Sequence, residues 1–291
     1  MGSTMKPKTI FITGCSLGGL GDAFAQEFHR RGLRVFASAR NLSKVAHLKG
    51  LGIETVELDV ISQDSINAAV RHVSSATSGK LDFLLNNSGV LYNMPVLDVD
   101  ISAAKALFDV NFFAVLAVTQ AFMPLLVKSQ GVVINNTSVV AVLAAPFQSI
   151  YNASKAAAAM LTNNMRIEFA PLGVKVIDLR TGAVKSNIFE NMPVAASVIP
   201  ANSLYLPAKK EIEMTMTGKT LGENQKMDQA VYAKKVADDV LKRSPRSASW
   251  RGGMATIVWL LTSISWYGAL DAILTRGMGL EKIKREHHKL E

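Results

Sequence analysis

The strongest constraint on this chain is the alternation of short apolar, β-branched runs with amphipathic stretches from Thr9 to Arg180. Runs at 9–13, 33–38, 54–58, 81–85, 132–136 and 174–179 read as buried strands. Between them lie helical patterns, notably 23–32, 62–76, about 102–128 and about 149–170. Strands that alternate with helices specify an α/β fold with a doubly wound parallel sheet. Right-handed crossovers then cover both faces of that sheet. The expected strand order is 3-2-1-4-5-6, with ligands at the carboxyl ends of the strands. Every polar motif below falls at one of those ends.

The first strand runs into Gly14-Cys15-Ser16-Leu17-Gly18-Gly19-Leu20-Gly21 and then a helix. A glycine-rich turn in that place brings backbone N–H groups to a pyrophosphate at the helix N-terminus. Gly14, Ser16, Gly19 and Gly21 are the residues expected to hold it. Cys15 reads as a small residue filling a tight turn rather than a redox sensor. The second strand ends Ser38-Ala39-Arg40, with no acid in reach. An acid there would accept from a ribose 2′-hydroxyl, whereas an arginine pairs with a 2′-phosphate. The expected cofactor is therefore NADPH or NADP+, with Arg40 on the phosphate and Ser38 helping. Asp59, after the third strand, is placed to meet the adenine. Asn87, after the fourth, is placed to hold the strands together beside the ribose.

Ser138 follows the fifth strand, and Tyr151 and Lys155 lie four apart on the next helix, on one face. A serine, a tyrosine and a lysine meeting at a strand end suit proton transfer to or from a carbonyl or alcohol oxygen.

After Arg180 the pattern breaks. Residues 182–226 carry Pro193, Pro200 and Pro207 with several methionines, and read as a mobile lid over a substrate. A helical pattern returns at 228–243. Residues 252–270 hold no charge and include Trp259, Trp266 and Tyr267; Lys282, Lys284, Arg285 and Lys289 follow. Three readings compete for this stretch: a membrane span, an anchor lying in the membrane interface over about 252–275, or a helix packed on the lid. The chain thus divides into a single reductase-type domain over 1–244 and a C-terminal apolar helical extension with a basic tail over 245–291.

The formal net charge is +9. It suits a phosphorylated ligand or an anionic membrane surface. Nucleic acid is not expected, because lysines and arginines are not clustered with interleaved aromatics. One cysteine excludes an internal disulfide and a cysteine-based zinc cluster. No metal site is expected; His29 and His47 read as surface residues, and His287 and His288 as solvated ones. The N-terminal residues lack the apolar stretch of a signal peptide. The expected location is cytoplasmic.

Taken together, Thr13-Gly14 with its following glycines, Asp59-Val60, Asn86-Asn87-Ser88-Gly89, Asn111, Ser138, Tyr151 with Lys155, and Gly182-Ala183-Val184-Lys185-Ser186 resemble the short-chain dehydrogenase/reductase family. The similarity covers residues 8–187. The added loop glycine and the Ala39-Arg40 ending are similar to the fungal NADPH-dependent acyl-dihydroxyacetone-phosphate reductases and to secondary-metabolite ketoreductases; the former resemblance implies a peripheral place at the endoplasmic reticulum or a lipid droplet. The resemblance implies a Rossmann fold and roles for single residues. Tyr151 would be the general acid, Lys155 would hold the nicotinamide ribose and lower the Tyr151 pKa, and Ser138 would orient the substrate oxygen. Asn111 would hold a water linking Lys155 to solvent. Val184 and Ser186 would contact the nicotinamide carboxamide. The implied activity is reduction of a lipophilic ketone to a secondary alcohol. A homodimer or tetramer through helices 102–128 and 149–170 is common in that family. Thr181 stands where the family usually has proline, which is expected to loosen the approach to the lid. The alternative function is a cofactor-binding protein without redox turnover: a cyclase, regulator or scaffold.

Overall fold

The structure is a computed structural model that describes residues 6–193, 197–266 and 268–287. Among the described residues seven strands form one sheet: β1 Thr9–Ile12, β2 Arg34–Ala39, β3 Glu54–Glu57, β4 Phe83–Asn86, β5 Val132–Asn136, β6 Lys175–Thr181 and β7 Ala248–Arg251. Their order is β3-β2-β1-β4-β5-β6-β7, and every pair is parallel. The first six strands take the expected order. The seventh was not expected, because Ala248-Ser249-Trp250-Arg251 has no apolar run and buries only Ser249. It extends the sheet by pairing Asp178 with Ala248 and Thr181 with Arg251. The sheet therefore continues past residue 244.

Side-chain alternation along β1 shows how the two faces fill. Ile10 and Ile12 join Phe24 and Phe28 of α1 (Leu20–Arg30) and Tyr232 and Val236 of α8 (Gln229–Val240). Phe11 points the other way, to Ile66 of α3 (Gln63–Thr77) and Phe122 of α5 (Ala114–Ser129). The Phe11 and Phe122 ring centroids are 4.5 Å apart. β1 is buried at all four residues because helices cover both faces.

The long helix expected at 102–128 is interrupted. It comprises α4 (Ile101–Phe108), a π-helical turn at Asp109–Phe113, and α5. The π-turn carries Asn111, and such bulges concentrate at functional sites. α6 (Ser149–Glu168) follows β5 and carries Tyr151 and Lys155 in its first two turns.

The expected lid is ordered around α7 (Lys209–Met216). Ala208, Ile212 and Met216 pack with Ile199 and with Phe147, just before α6. Phe147 has φ +61°, a strained conformation for a bulky residue, and its buried ring is part of this cluster.

The tail forms α9 (Ala255–Ile264), α10 (Asp271–Leu274) and α11 (Leu280–His287). Ten residues of helix span about 15 Å, half of a hydrocarbon core, so α9 is too short for a membrane span. α9 buries Ala255 and Val258, lies against β7 and the turn after Ser138, and leaves Ile257, Trp259, Leu260 and Ile264 exposed. From the tail, Met278 and, on α11, Leu280 and Ile283 pack on the lid. Tyr267, His288 and Lys289 lie outside the described residues. Ile101–Ser129 is long and apolar enough to cross a membrane, but its Ala114, Val118, Phe122 and Leu126 line the core beside the sheet.

Candidate active site

The glycine turn after β1 has a shape that only glycine allows. Gly14 sits at φ +72°, the left-handed region. A Cβ on Gly21 would lie 2.3 Å from the Gly14 carbonyl oxygen and 2.7 Å from Asn87 Nδ2, so turn and helix approach backbone to backbone. Gly19 caps α1 and supplies no side-chain acceptor, which leaves the first N–H groups of the helix for an outside anion. This cradle fits a dinucleotide pyrophosphate. Ser16 accepts from Gly19 N–H through its carbonyl at 3.0 Å, closing the turn. Cys15 is fully buried, its thiol bonded to the Ile12 carbonyl and pushed far up by desolvation, which makes it inert, as expected of a filler.

Arg40 leaves the strand exposed, and no described residue pairs with it. It is free to meet a phosphate. Ser38 is not. Its side chain is fully buried and its hydroxyl donates to the Ile12 carbonyl at 2.9 Å, so the expected help on the phosphate is corrected to a tie between β2 and β1. Asp59 is half-buried at the end of β3, where its Oδ1 accepts from Ile61 N–H. Asn87 does tie strands: its Nδ2 donates to the Thr13 and Gly14 carbonyls, and its Oδ1 accepts from Asn136.

Ser138 caps the short helical turn at Val139–Ala141 and donates to the Thr181 carbonyl at 3.3 Å. Lys155 is buried, and its Nζ donates to the Asn136 carbonyl at 2.9 Å and sits 5.8 Å from the Tyr151 ring centroid. Burial pushes the Lys155 ammonium down to about 8, opposed by the charge of Asp178. Burial pushes the Tyr151 phenol up to about 12, opposed by Ser138. The expected lowering of Tyr151 by Lys155 is therefore corrected for the protein alone. Desolvation of the phenol outweighs it, and the ammonium is directed at Asn136.

Asn111 Oδ1 accepts from Val90 N–H at 2.9 Å, and its Nδ2 donates to the Val90 carbonyl and to Ser154 Oγ. The side-chain amide thus ties the segment after β4 to α6 beside Lys155. A Cβ on Gly89 would lie 3.4 Å from Asn111 Oδ1 and 3.6 Å from Lys155 Nζ, so the two side chains face each other across that glycine. Val184 pairs with Met227 in an isolated bridge, and Ser186 is half-buried at the start of the lid. Asn187, next to Ser186, reaches back over the glycine turn toward the Leu17 carbonyl.

Two carboxylates and an apolar wall escaped the sequence reading. Asp22, on α1, is a buried carboxylate that accepts from Gly18 N–H at 3.0 Å and meets His47 Nε2 at 2.8 Å. His47 is therefore a partner of the glycine turn, not a bare surface residue. Asp178, inside β6, bonds Thr137 and Arg180 beneath Lys155, and burial raises its pKa. A lone acid within an apolar strand was the available signal. Beside Tyr151 lies an apolar wall of Leu91, Tyr92, Met94 and Met192 with Ile150 and Phe189. The described residues contain no cluster able to hold a metal ion.

Comparison with known proteins follows the same lines. The family model for short chain dehydrogenases matches residues 8–195. A short-chain dehydrogenase/reductase of Pestalotiopsis microspora is 42% identical over 285 residues, covering 96% of this chain and 97% of the relative. An NADPH-dependent 1-acyldihydroxyacetone phosphate reductase of Schizosaccharomyces pombe is 38% identical over 208 residues, 70% of each chain. A short chain dehydrogenase from Burkholderia cenocepacia, solved in complex with NADP, superposes with a TM-score of 0.70 at 26% identity, covering 92% of this chain and 98% of that one.

Proposed function

This chain belongs to the short-chain dehydrogenase/reductase family, and on that footing we propose that it reduces a ketone on a lipophilic substrate to a secondary alcohol with NADPH. The observation that carries the reading is the meeting of Ser138, Tyr151 and Lys155 at the ends of β5 and β6, beside the glycine cradle. When bound, NADPH supplies the hydride. Gly14, Ser16, Gly19 and Gly21 form its phosphate cradle, Arg40 its 2′-phosphate partner, and Asp59, Asn87, Val184 and Ser186 its remaining contacts. The NADP in the Burkholderia structure and the NADPH of the Schizosaccharomyces enzyme support that cofactor.

Tyr151 would give its phenolic proton to the substrate's carbonyl oxygen, completing the alcohol O–H. With its pKa near 12 the phenol is protonated at neutral pH, the form a reduction needs. Charged Lys155 stabilises the phenolate that results, and Ser138 donates to the developing oxyanion. The apolar wall beside Tyr151 favours a hydrocarbon-rich substrate. An acyl-dihydroxyacetone phosphate and a polyketide- or terpenoid-type ketone both meet that description.

Partners follow from exposed apolar residues. Ile257, Trp259, Leu260, Ile264 and Trp266 are all exposed on or just after the uncharged α9, and suit the surface of a lipid membrane at the endoplasmic reticulum or a lipid droplet. Exposed Phe113, Met160 and Ile167 on the central helices suit a homodimer or tetramer.

The test is NADPH absorbance against a panel of lipophilic ketones. Consumption on at least one supports the reading. Tight NADPH binding with no consumption on any of them would favour the non-redox alternative.

A further inference from the structure

Thr181 stands where proline would offer no side-chain hydroxyl, and its hydroxyl is fully used. It donates to Asn136 Oδ1 and meets the hydroxyl of Tyr232, a fully buried residue of α8. Far from loosening the lid, Thr181 joins three elements. The direction of the whole chain of bonds can be worked out from its far end. The Thr13 and Gly14 carbonyls can only accept, so Asn87 must present Nδ2 to them and Oδ1 to Asn136. Asn136 then presents Oδ1 to Thr181, Thr181 must donate, and Tyr232 must donate to Thr181. The bonds run one way, from α8 through the ends of β6, β5 and β4 to the glycine turn after β1.

Two members of this line also hold the catalytic groups by their backbones. The Asn136 carbonyl accepts from Lys155 Nζ at 2.9 Å, and the Thr181 carbonyl accepts from the Ser138 hydroxyl at 3.3 Å. We propose that Thr181 and Tyr232 are positioning residues: their one-way chain of hydrogen bonds sets Asn136, and through it fixes Lys155, Ser138 and the glycine turn in register for cofactor and substrate. Neither hydroxyl exchanges protons with the substrate. Tyr232 is fully buried behind Thr181, and burial drives its phenol far up, out of any acid–base range. The line also connects the cofactor turn to α8, whose capping residue Asp228 directly follows Met227, the bridge partner of Val184 at the start of the lid.

This inference rests on the reductase reading for its kinetic arm alone. The test uses the full chain with Thr181→Val, Thr181→Ser, Tyr232→Phe and the double variant Thr181→Val/Tyr232→Phe. It measures NADPH dissociation constant by fluorescence, melting temperature, and kcat and KM on any ketone the wild type consumes. Leaving a buried polar partner unpaired weakens an equilibrium by roughly five- to 100-fold. Thr181→Val is expected to weaken NADPH binding by about tenfold, Tyr232→Phe by less, and the double variant no more than Thr181→Val alone. Thr181→Ser keeps the hydroxyl and is expected to match the wild type. On ketones, kcat falls while ketone KM holds. Unchanged NADPH affinity in folded Thr181→Val, or a serine variant as impaired as the valine one, would overturn the proposal, as would additive single effects. If the wild type consumes no NADPH on any ketone, the reductase reading fails, and NADPH affinity still decides the positioning role.

Discussion

The floor of the site and its roof are built on opposite terms. The floor, at the ends of β1, β4, β5 and β6, is polar, buried or half-buried, and densely hydrogen-bonded: Asn86 to Thr119 and Asn135, Asn87 to Thr13 and Gly14, Asn136 to Asn87, and Asn135 to Thr162. The roof is apolar where it meets the site, at Phe189 and Met192 of the lid, and along α9, which faces solvent, with Ile264 72% and the following Trp266 80% exposed. Buried polar groups in a dry interior have few satisfactory arrangements, so the floor is rigid and fixes a reaction. Apolar contacts are non-directional, so the roof can accept different substrates or a surface without altering the chemistry beneath.

The comparison breaks most readily at the floor. Lys155→Ala removes the charge facing the phenol and leaves the Asn136 carbonyl unpaired; kcat/KM on a ketone is expected to fall by about 10²–10⁴-fold, measured by NADPH consumption. Gly21→Ala drives a methyl to 2.3 Å from the Gly14 carbonyl oxygen, backbone that has little room to move. It is expected to weaken NADPH binding by at least about tenfold and to lower the melting temperature, at the roughly 1–3 kcal/mol typical of overpacking. Arg40→Ala leaves the turn intact and removes one charge-assisted contact. The preference for NADPH over NADH is expected to shrink by roughly 10–100-fold, read from paired dissociation constants.

The pH dependence follows from the floor as well. The Lys155 ammonium, held down to about 8, is charged below that pH and loses its proton above it. Tyr151 stays protonated throughout, up to about 12. Ketone reduction is thus expected to hold from neutral pH to about 8 and to decline above it, measured as kcat/KM across pH. The roof makes the opposite prediction. Trp259→Ser with Ile264→Ser is expected to leave turnover of a small soluble ketone unchanged while abolishing co-sedimentation with anionic lipid vesicles. Loss of turnover instead would mean that α9 shapes the pocket.

Much of the floor was legible in the sequence, because each motif combines a local pattern with a chemical type. The glycine turn, Arg40, Asn87 and Ser138 follow strand ends, which show in apolar periodicity, while Tyr151 and Lys155 show as two residues four apart on one face of the helix after β5. Ser38 was misplaced because the strand keeps its alternation to Ala39 and points the hydroxyl inward, while Arg40 leaves the sheet. β7 was missed because an edge strand packs too little to need an apolar run. The partnership of Thr181 with Tyr232 joins residues 51 positions apart, and that of Asn136 with Asn87 joins residues 49 apart. No local pattern records such pairs; only the packed sheet brings them together.

The central claim is that Tyr151 delivers the proton at one carbonyl. Tyr151→Phe keeps the ring against Met94 and Met192 and removes only the hydroxyl. The account predicts that this variant binds NADPH with wild-type affinity while turnover of a ketone falls by about 10²–10⁴-fold. A Tyr151→Phe protein that keeps most of its turnover would contradict it.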